Sequence, residues 1–443
     1  MSSLAGTRLR AVRDVPAPPA RLVAIGALAG LLAAGALLAV AAAAERRIWY
    51  VPASEHGGFP AWLSGPYHGL ELVLTPPSGA LLLVVMFCCY LVVLACARVG
   101  AVPARLAVGV VVLAHVLFLL APPLFSADVF GYVDYARLAV VHGLDPYLHG
   151  ASAAPHDAVI PYVRWLDVRT PYGPLFTLAS MPLAWLSVPA ALWACKAAAA
   201  LLSLVCLALV WQIARCTGKS PERAILFVGL NPLLLAYGVG GAHNDFLLLA
   251  LGLGGILLVQ RERGAAGGAL GALALGIKAS AGLLLPFMLL APQARPRRVL
   301  TGALAAGAAL LVAAVAAFGG EALGFAGQIR QQQQFVAADS VPRRVAWLLG
   351  FEGLPLALRL VFALGFAAAL AWLLWATWRR RIEWIAAAGW ATLALLLSTA
   401  WLVPWYVVWL LPLAAVGSDR RLRVATLLYC VYLVALRVGY QLV

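Results

Sequence analysis

Apolar runs near residues 22–44, 78–97, 106–124, 190–214, 224–241, 245–260, 265–278, 280–292, 299–318, 355–378, 384–402, 404–417 and 423–441 follow one another along the chain, with short polar connections between them. A helix needs about 20 apolar residues to cross the hydrocarbon core of a bilayer. The pattern therefore predicts an all-α, polytopic transmembrane helix bundle of roughly 12–13 spans, built as a single domain over 1–443. Several runs fall short of a full span, and the two flanking Lys278 predict half-length helices that meet inside the membrane. Residues 174–188 are predicted not to span. That segment is short, starts at Pro174 and is followed by Ser187-Val188-Pro189, so it reads as a helix at or dipping into the outer interface.

Composition agrees with lipid as the solvent. Apolar residues make up 64% and charged residues 11% of the 443, with mean hydropathy +0.94, against about 45–50% and roughly 25% in soluble domains. The net charge of +15 would point to nucleic acid in a soluble protein, but here its distribution gives it another meaning. Arg8, Arg10, Arg13 and Arg21, Arg98 and Arg105, Arg215, Lys219 and Arg223, Arg261 and Arg263, Arg295, Arg297 and Arg298, Arg379 to Arg381, and Arg420, Arg421 and Arg423 fall on alternate connections. Basic connections stay in the cytoplasm, which predicts the N-terminus inside and the C-terminus outside, with no nucleic-acid partner. The complementary side receives Glu45, Glu55, Glu71, Asp128, Asp134, Asp145, Asp157, Asp167, Asp245, Glu321, Asp339 and Glu352. No carboxylate is predicted in mid-membrane, where coupled transporters usually carry them. The seven cysteines lie in apolar runs or beside basic connections, so no disulfide framework is implied. The first apolar run is too long for a cleavable signal.

Two outer segments are long, 125–173 and 319–354. The first reads as a catalytic loop. Residues 128–142 predict a short amphipathic helix along the membrane surface, capped at its start by Ser126 or Asp128 and ended at Gly143. Asp128, Tyr132 and Tyr135 share one face at i, i+4 and i+7. Asp128 is either a simple N-cap or a base placed to take a proton from a hydroxyl presented from outside. Asp145-Pro146-Tyr147 reads as a turn, and Thr170-Pro171-Tyr172-Gly173-Pro174 returns the chain to the membrane. Tyr172 is either an interfacial anchor or a stacking surface for a sugar. The second segment holds Gln331 to Gln334, an ordinary polar stretch without assigned chemistry.

Polar residues recur at the outer ends of spans. His243-Asn244-Asp245 offers acceptor contacts, a phosphate-bound metal site or helix capping; with a single histidine a metal site is weakly specified. Lys278, in an apolar stretch, needs a partner such as a lipid phosphate or snorkels to the interface. With Lys196, Arg359 and Arg437 it could form a basic patch for an anionic lipid head group. Trp405 and Tyr406 open a span as belt aromatics do. No P-loop, dinucleotide fingerprint or Ser/His/Asp set can be assembled.

Ser126-Ala127-Asp128-Val129, His142-Gly143-Leu144-Asp145-Pro146-Tyr147, Thr170 to Pro174, Gly240 to Asp245 and Pro404-Trp405-Tyr406, in this order, resemble the membrane glycosyltransferases of the GT-C type. More specifically, they are similar to the actinobacterial polyprenol-phosphomannose-dependent α-(1→6)-mannosyltransferases. The similarity runs over most of the chain, from residue 110 to residue 415. The resemblance implies a multi-pass plasma-membrane enzyme that moves a sugar, mannose in an α-1,6 linkage, from a polyprenyl-phosphate donor to an extracytoplasmic glycan or glycolipid. Inverting displacement would use Asp128 as the base, with Lys278 in the broken helix. The donor phosphate then falls to Lys278, Lys196 and Arg359, and the acceptor to Tyr132, Asp145, Tyr147, Tyr172, His243, Asn244, Asp245, Trp405 and Tyr406. Many GT-C enzymes pair the first acid with a second, but Val129 and Phe130 follow Asp128. No metal ligand or cofactor is assigned, and a divalent metal stays open. The rival readings are a lipid-linked sugar transporter or flippase, a glycan polymerase or ligase, and a non-catalytic assembly protein.

Overall fold

Most helices of this chain begin where a proline or a short polar side chain makes a first turn cheap. Thr75, Ser187, Ser220 and Ser340 each accept a hydrogen bond from the amide three residues on, and each precedes a proline in the first turn. Glu383 does the same with two carboxylate oxygens for Ile385 and Ala386. Such caps satisfy amides that a helix start leaves open.

In the computed structural model, which describes residues 18–44, 60–70, 72–324 and 335–442, every regular element is helical. In chain order the principal helices are α1 (Pro18–Ala43), α2 (Pro76–Arg98), α3 (Ala104–Leu120), α4 (Asp128–Val140), α5 (Pro174–Ser180), α6 (Val188–Cys216), α7 (Pro221–Gly229), α8 (Asp245–Gln260), α9 (Gly264–Leu275), α10 (Leu284–Leu289), α11 (Pro296–Phe318), α12 (Val341–Leu348), α13 (Leu356–Trp378), α14 (Trp384–Ser398), α15 (Val407–Val416) and α16 (Arg420–Leu442). Among the described residues, 5 helices are long and apolar enough to cross a membrane by themselves, and six further apolar helices are shorter. The protein is thus a polytopic helical bundle. Glu45, Glu55, Glu71, Arg8, Arg10, Arg13, Gln331 to Gln334 and the side chain of Arg437 lie outside the described residues.

The basic connections converge. Arg423 lies within electrostatic reach of Arg98, Arg223 and Arg420, and Lys219 of Glu383 and Arg423.

Two spans are broken, and the breaks position the site. After α7 the side chain of Asn231 accepts from the Leu233 amide at 3.0 Å. A π-helical turn follows over Leu234–Val239, and Ala242 takes a left-handed φ of 55° before α8. The second break is the predicted pair of half-length helices. α9 ends at Leu275 with Gly276 as its C-cap, Lys278 is extended (φ −144°, ψ 138°), and a 3-10 turn over Ala279–Leu283 leads into α10.

The segment 125–173 differs from its expected form in one respect. α4 is present over nearly the predicted span, and Gly143 (φ 64°) ends it with the Leu144 amide donating to Leu138 O at 2.9 Å. Yet α4 does not lie on the surface by one apolar face: Val129, Phe130, Tyr132, Val133, Asp134, Tyr135, Ala136 and Leu138 are all buried. Residues 144–172 fold back over it, fastened by Arg137, whose Nε donates to both oxygens of Asp157 at 2.8 and 3.0 Å. His142 shares Asp157 at 2.6 Å. Ser126 accepts from the Asp128 amide at 3.1 Å, while Asp128 makes no capping bond.

The return strand of this loop is sewn to the second break. The Gly173 amide donates to Ile277 O at 2.8 Å and the Leu175 amide to Gly276 O at 2.9 Å. A Cβ on Gly173 would overlap the Gly276 carbonyl, which is backbone and cannot swing aside. Gly173→Ala is expected to lower stability by about 1–3 kcal/mol, the range of overpacking, read as a lower thermal midpoint in detergent; an unchanged midpoint would show that the two segments part easily.

Candidate functional site

The start of α4, the loop at 164–172, the break at 278–280, one face of α13 and residues 395–409 surround a cavity of about 960 Å³. Asp128 opens into it with 24% of its side chain exposed, and its Oδ2 stands 3.7 Å from His243 Nδ1. Burial raises the Asp128 pKa to about 6, opposed by the nearby Lys278 ammonium and by Ser126. A carboxylate so placed is ionised at neutral pH but more basic than one in water, which suits proton abstraction.

Both ring nitrogens of His243 and both side-chain polar atoms of Asn244 are buried and lack a hydrogen-bond partner among the described residues. His243 stacks on Trp405 at 4.0 Å between centroids, and the Asn244 amide donates to Tyr132 Oη at 3.4 Å. Unsatisfied buried polar groups beside a cavity carry a desolvation penalty unless a ligand or water meets them.

Lys278 and Asp245, 33 residues apart in the chain, form one unit. The Lys278 ammonium donates to both Asp245 oxygens at 2.9 Å, and Trp409 Nε1 donates to the same carboxylate at 2.7 Å. The ammonium also lies over the rings of Tyr172, Tyr406 and Trp409, at 5.5, 5.6 and 6.0 Å. Cation–π attraction of this kind strengthens as water is removed. Lys278 still reaches the cavity, at 13% exposure, whereas Asp245 is wholly buried.

The other expected residues divide. Tyr172, Arg359, Trp405 and Tyr406 line the cavity. Lys196 does not: it is fully buried, and its ammonium donates to Phe118 O at 3.2 Å and Gly240 O at 3.0 Å. The structure therefore removes Lys196 from the phosphate-binding set, because both carbonyls sit inside the bundle and hold it there. Asp145 makes the predicted turn, accepting from the Tyr147 amide at 2.8 Å. Tyr147 is buried against Tyr172 O and Thr177, and Tyr132 is buried beneath Asn244; none of these three lines the cavity, nor do His243, Asn244 and Asp245, which lie behind its wall. Arg164, Trp165, Trp401 and Trp409 do line it and were not anticipated. Arg164 carried a signal, since a basic residue on the predicted outer side is an exception to the charge rule. Trp409 stands four residues after Trp405, on the same helical face.

Asp128 and His243 are two converging ligands, Asp245 is already engaged, and no cluster of three or more His, Cys, Asp or Glu side chains suited to a metal ion occurs among the described residues.

Residues 23–294 match the family model described as alpha-(1->6)-mannopyranosyltransferase, N-terminal domain, and residues 344–438 match the MptB C-terminal domain. The chain is 30% identical over 344 residues to alpha-(1->6)-mannopyranosyltransferase A of Mycobacterium tuberculosis, covering 70% of this chain and 64% of that protein. It is 32% identical over 176 residues to the Corynebacterium glutamicum protein of the same name, covering 38% and 35%. The matched region thus spans less than two thirds of either relative. No solved structure matches the chain.

Proposed function

Because the chain belongs to the alpha-(1->6)-mannopyranosyltransferase family, we propose that it transfers a mannosyl unit from a polyprenyl-phosphate donor to a hydroxyl of a glycan or glycolipid on the extracytoplasmic side of the membrane. Asp128 accepts the proton of the acceptor hydroxyl as that oxygen attacks the anomeric carbon. The bond from that carbon to the phosphate oxygen breaks, and the lipid phosphate leaves with the electron pair. Attack from the face opposite the phosphate inverts the centre, so a β-linked donor yields an α product. Arg359 faces the charge that develops on the phosphate, and the Lys278–Asp245 unit fixes the local field. Preorganised charge of this kind often dominates catalysis. His243, stacked on Trp405 and 3.7 Å from the Asp128 carboxylate, backs the base from behind the cavity wall.

The observation that carries the reading is the Asp128 carboxylate, partly exposed at the wall of a large cavity whose lining also holds Arg359 and Lys278. Incubating the purified protein with a panel of labelled polyprenyl-phosphate sugars tests it: mannose should pass from the phospholipid to an α-mannoside acceptor. Release of no sugar from any donor would sink the proposal, and uptake into sealed vesicles without transfer would favour a transporter.

A pH dependence follows from the Asp128 pKa of about 6. The base is the ionised form, so the rate of transfer at saturating donor should be full above that value and fall as pH drops through it. A profile flat from about pH 5 to about pH 8 would remove Asp128 from the proton transfer.

A further inference from the structure

The cavity lining changes in kind between its helical and its loop-borne parts. From α13 and α14 come aliphatic and phenyl groups, Ala363, Phe366, Leu395 and Leu396. From three separate connecting segments come Trp165, Phe335 and Trp401, which meet pairwise at 6.1, 6.2 and 5.4 Å between ring centroids. The Arg164 guanidinium lies 5.6 Å over the Trp165 ring. The segments of Phe335 and Trp401 are joined by the Ala337 amide, which donates to Ala400 O at 2.9 Å, and the first is tied to α16 by Tyr432 Oη, which donates to Asp339 O at 2.9 Å. Trp165 nevertheless keeps 40% of its surface exposed.

We propose that Trp165, Trp401 and Phe335 form a stacking subsite for a sugar of the acceptor glycan other than the one whose hydroxyl reacts. The proposal rests on the mannosyl-transfer reading above and names where an extended acceptor lies. A pyranose has an apolar C–H face and a rim of hydroxyls. It suits a rigid aromatic surface edged by a guanidinium, whereas a polyprenyl tail suits the aliphatic helix wall and finds no use for Arg164. Aromatic side chains supply large contact area at little entropy cost, and Arg is the cation that stacks on rings and still donates at its edge. The volume of about 960 Å³ lies at the top of the range of about 300–1,000 Å³ for ligand pockets, room for more than one sugar ring beside the donor head.

Equilibrium binding of α-mannosides of increasing length to the purified full chain, with no donor present, is the direct test, followed by transfer kinetics. Trp165→Ala should weaken binding of an α-1,6-linked oligomannoside by about 3- to 10-fold and raise its KM in parallel. KM for a monosaccharide acceptor and for the donor should stay unchanged, and Trp165→Tyr should restore most of the loss. Trp401→Ala should act in the same direction, with thermal midpoints confirming that each variant is folded. Equal losses for short and long acceptors, a change in donor KM, or no change at all would overturn the subsite. Length-dependent binding without any transfer by the parent protein would uphold the subsite and overturn the activity instead.

Discussion

Asp128→Asn is expected to slow sugar transfer by about 10²–10⁴-fold, the range a positioned general base contributes. The amide keeps the size of the carboxylate but cannot take a proton. Folding should be untouched, because the bond that anchors this turn runs from the Asp128 main-chain amide to Ser126 rather than from its side chain. The variant should therefore keep the parent's thermal midpoint and lose kcat. Transfer at the parent rate, from protein made at the parent level, would end the assignment of Asp128 as the base.

Asp245→Ala carries the largest expected effect on stability. The carboxylate is wholly buried and answers both Lys278 and Trp409. Removing it leaves an ammonium at 13% exposure with ring faces but no counter-charge, and an indole N–H with no acceptor. Breaking one half of a buried ion pair costs about 3–5 kcal/mol, while replacing both halves by apolar groups is far milder. The double substitution Asp245→Leu with Lys278→Met should therefore recover much of the thermal midpoint lost by Asp245→Ala, though not the activity. A single variant as stable as the parent would mean that the pair is dispensable to the fold.

Much of this architecture could be read from the chain before any coordinates. The spans follow from run length, the capped starts from Pro after Ser or Thr, and the break at Lys278 from two runs too short to cross. α4 was legible as a helix from its period and from Gly143, but its burial was not. Amphipathic period reports a helix's own faces and says nothing of residues 144–172 folding over it. Lys278 and Asp245 were each conspicuous as charges among apolar neighbours. That they satisfy each other depends on how two broken spans cross, which local pattern does not encode. Lys196 shows the same limit. Its neighbours in sequence are those of a residue near a membrane face, and only the carbonyls of Phe118 and Gly240 reveal that it is enclosed. Trp165 and Trp401 drew no reading, because sequence does not distinguish a ring turned to lipid from one turned to a cavity.

The seam between Gly173 and Ile277 couples two parts of the molecule that would otherwise respond independently. One side of it carries Tyr172 and, through the loop, the approach to Asp128; the other carries Lys278 one residue on. A displacement of the loop would therefore pull, through two hydrogen bonds, on the main chain that carries the lysine. The loop and the broken helix would then move as one body, with no separate lid between them.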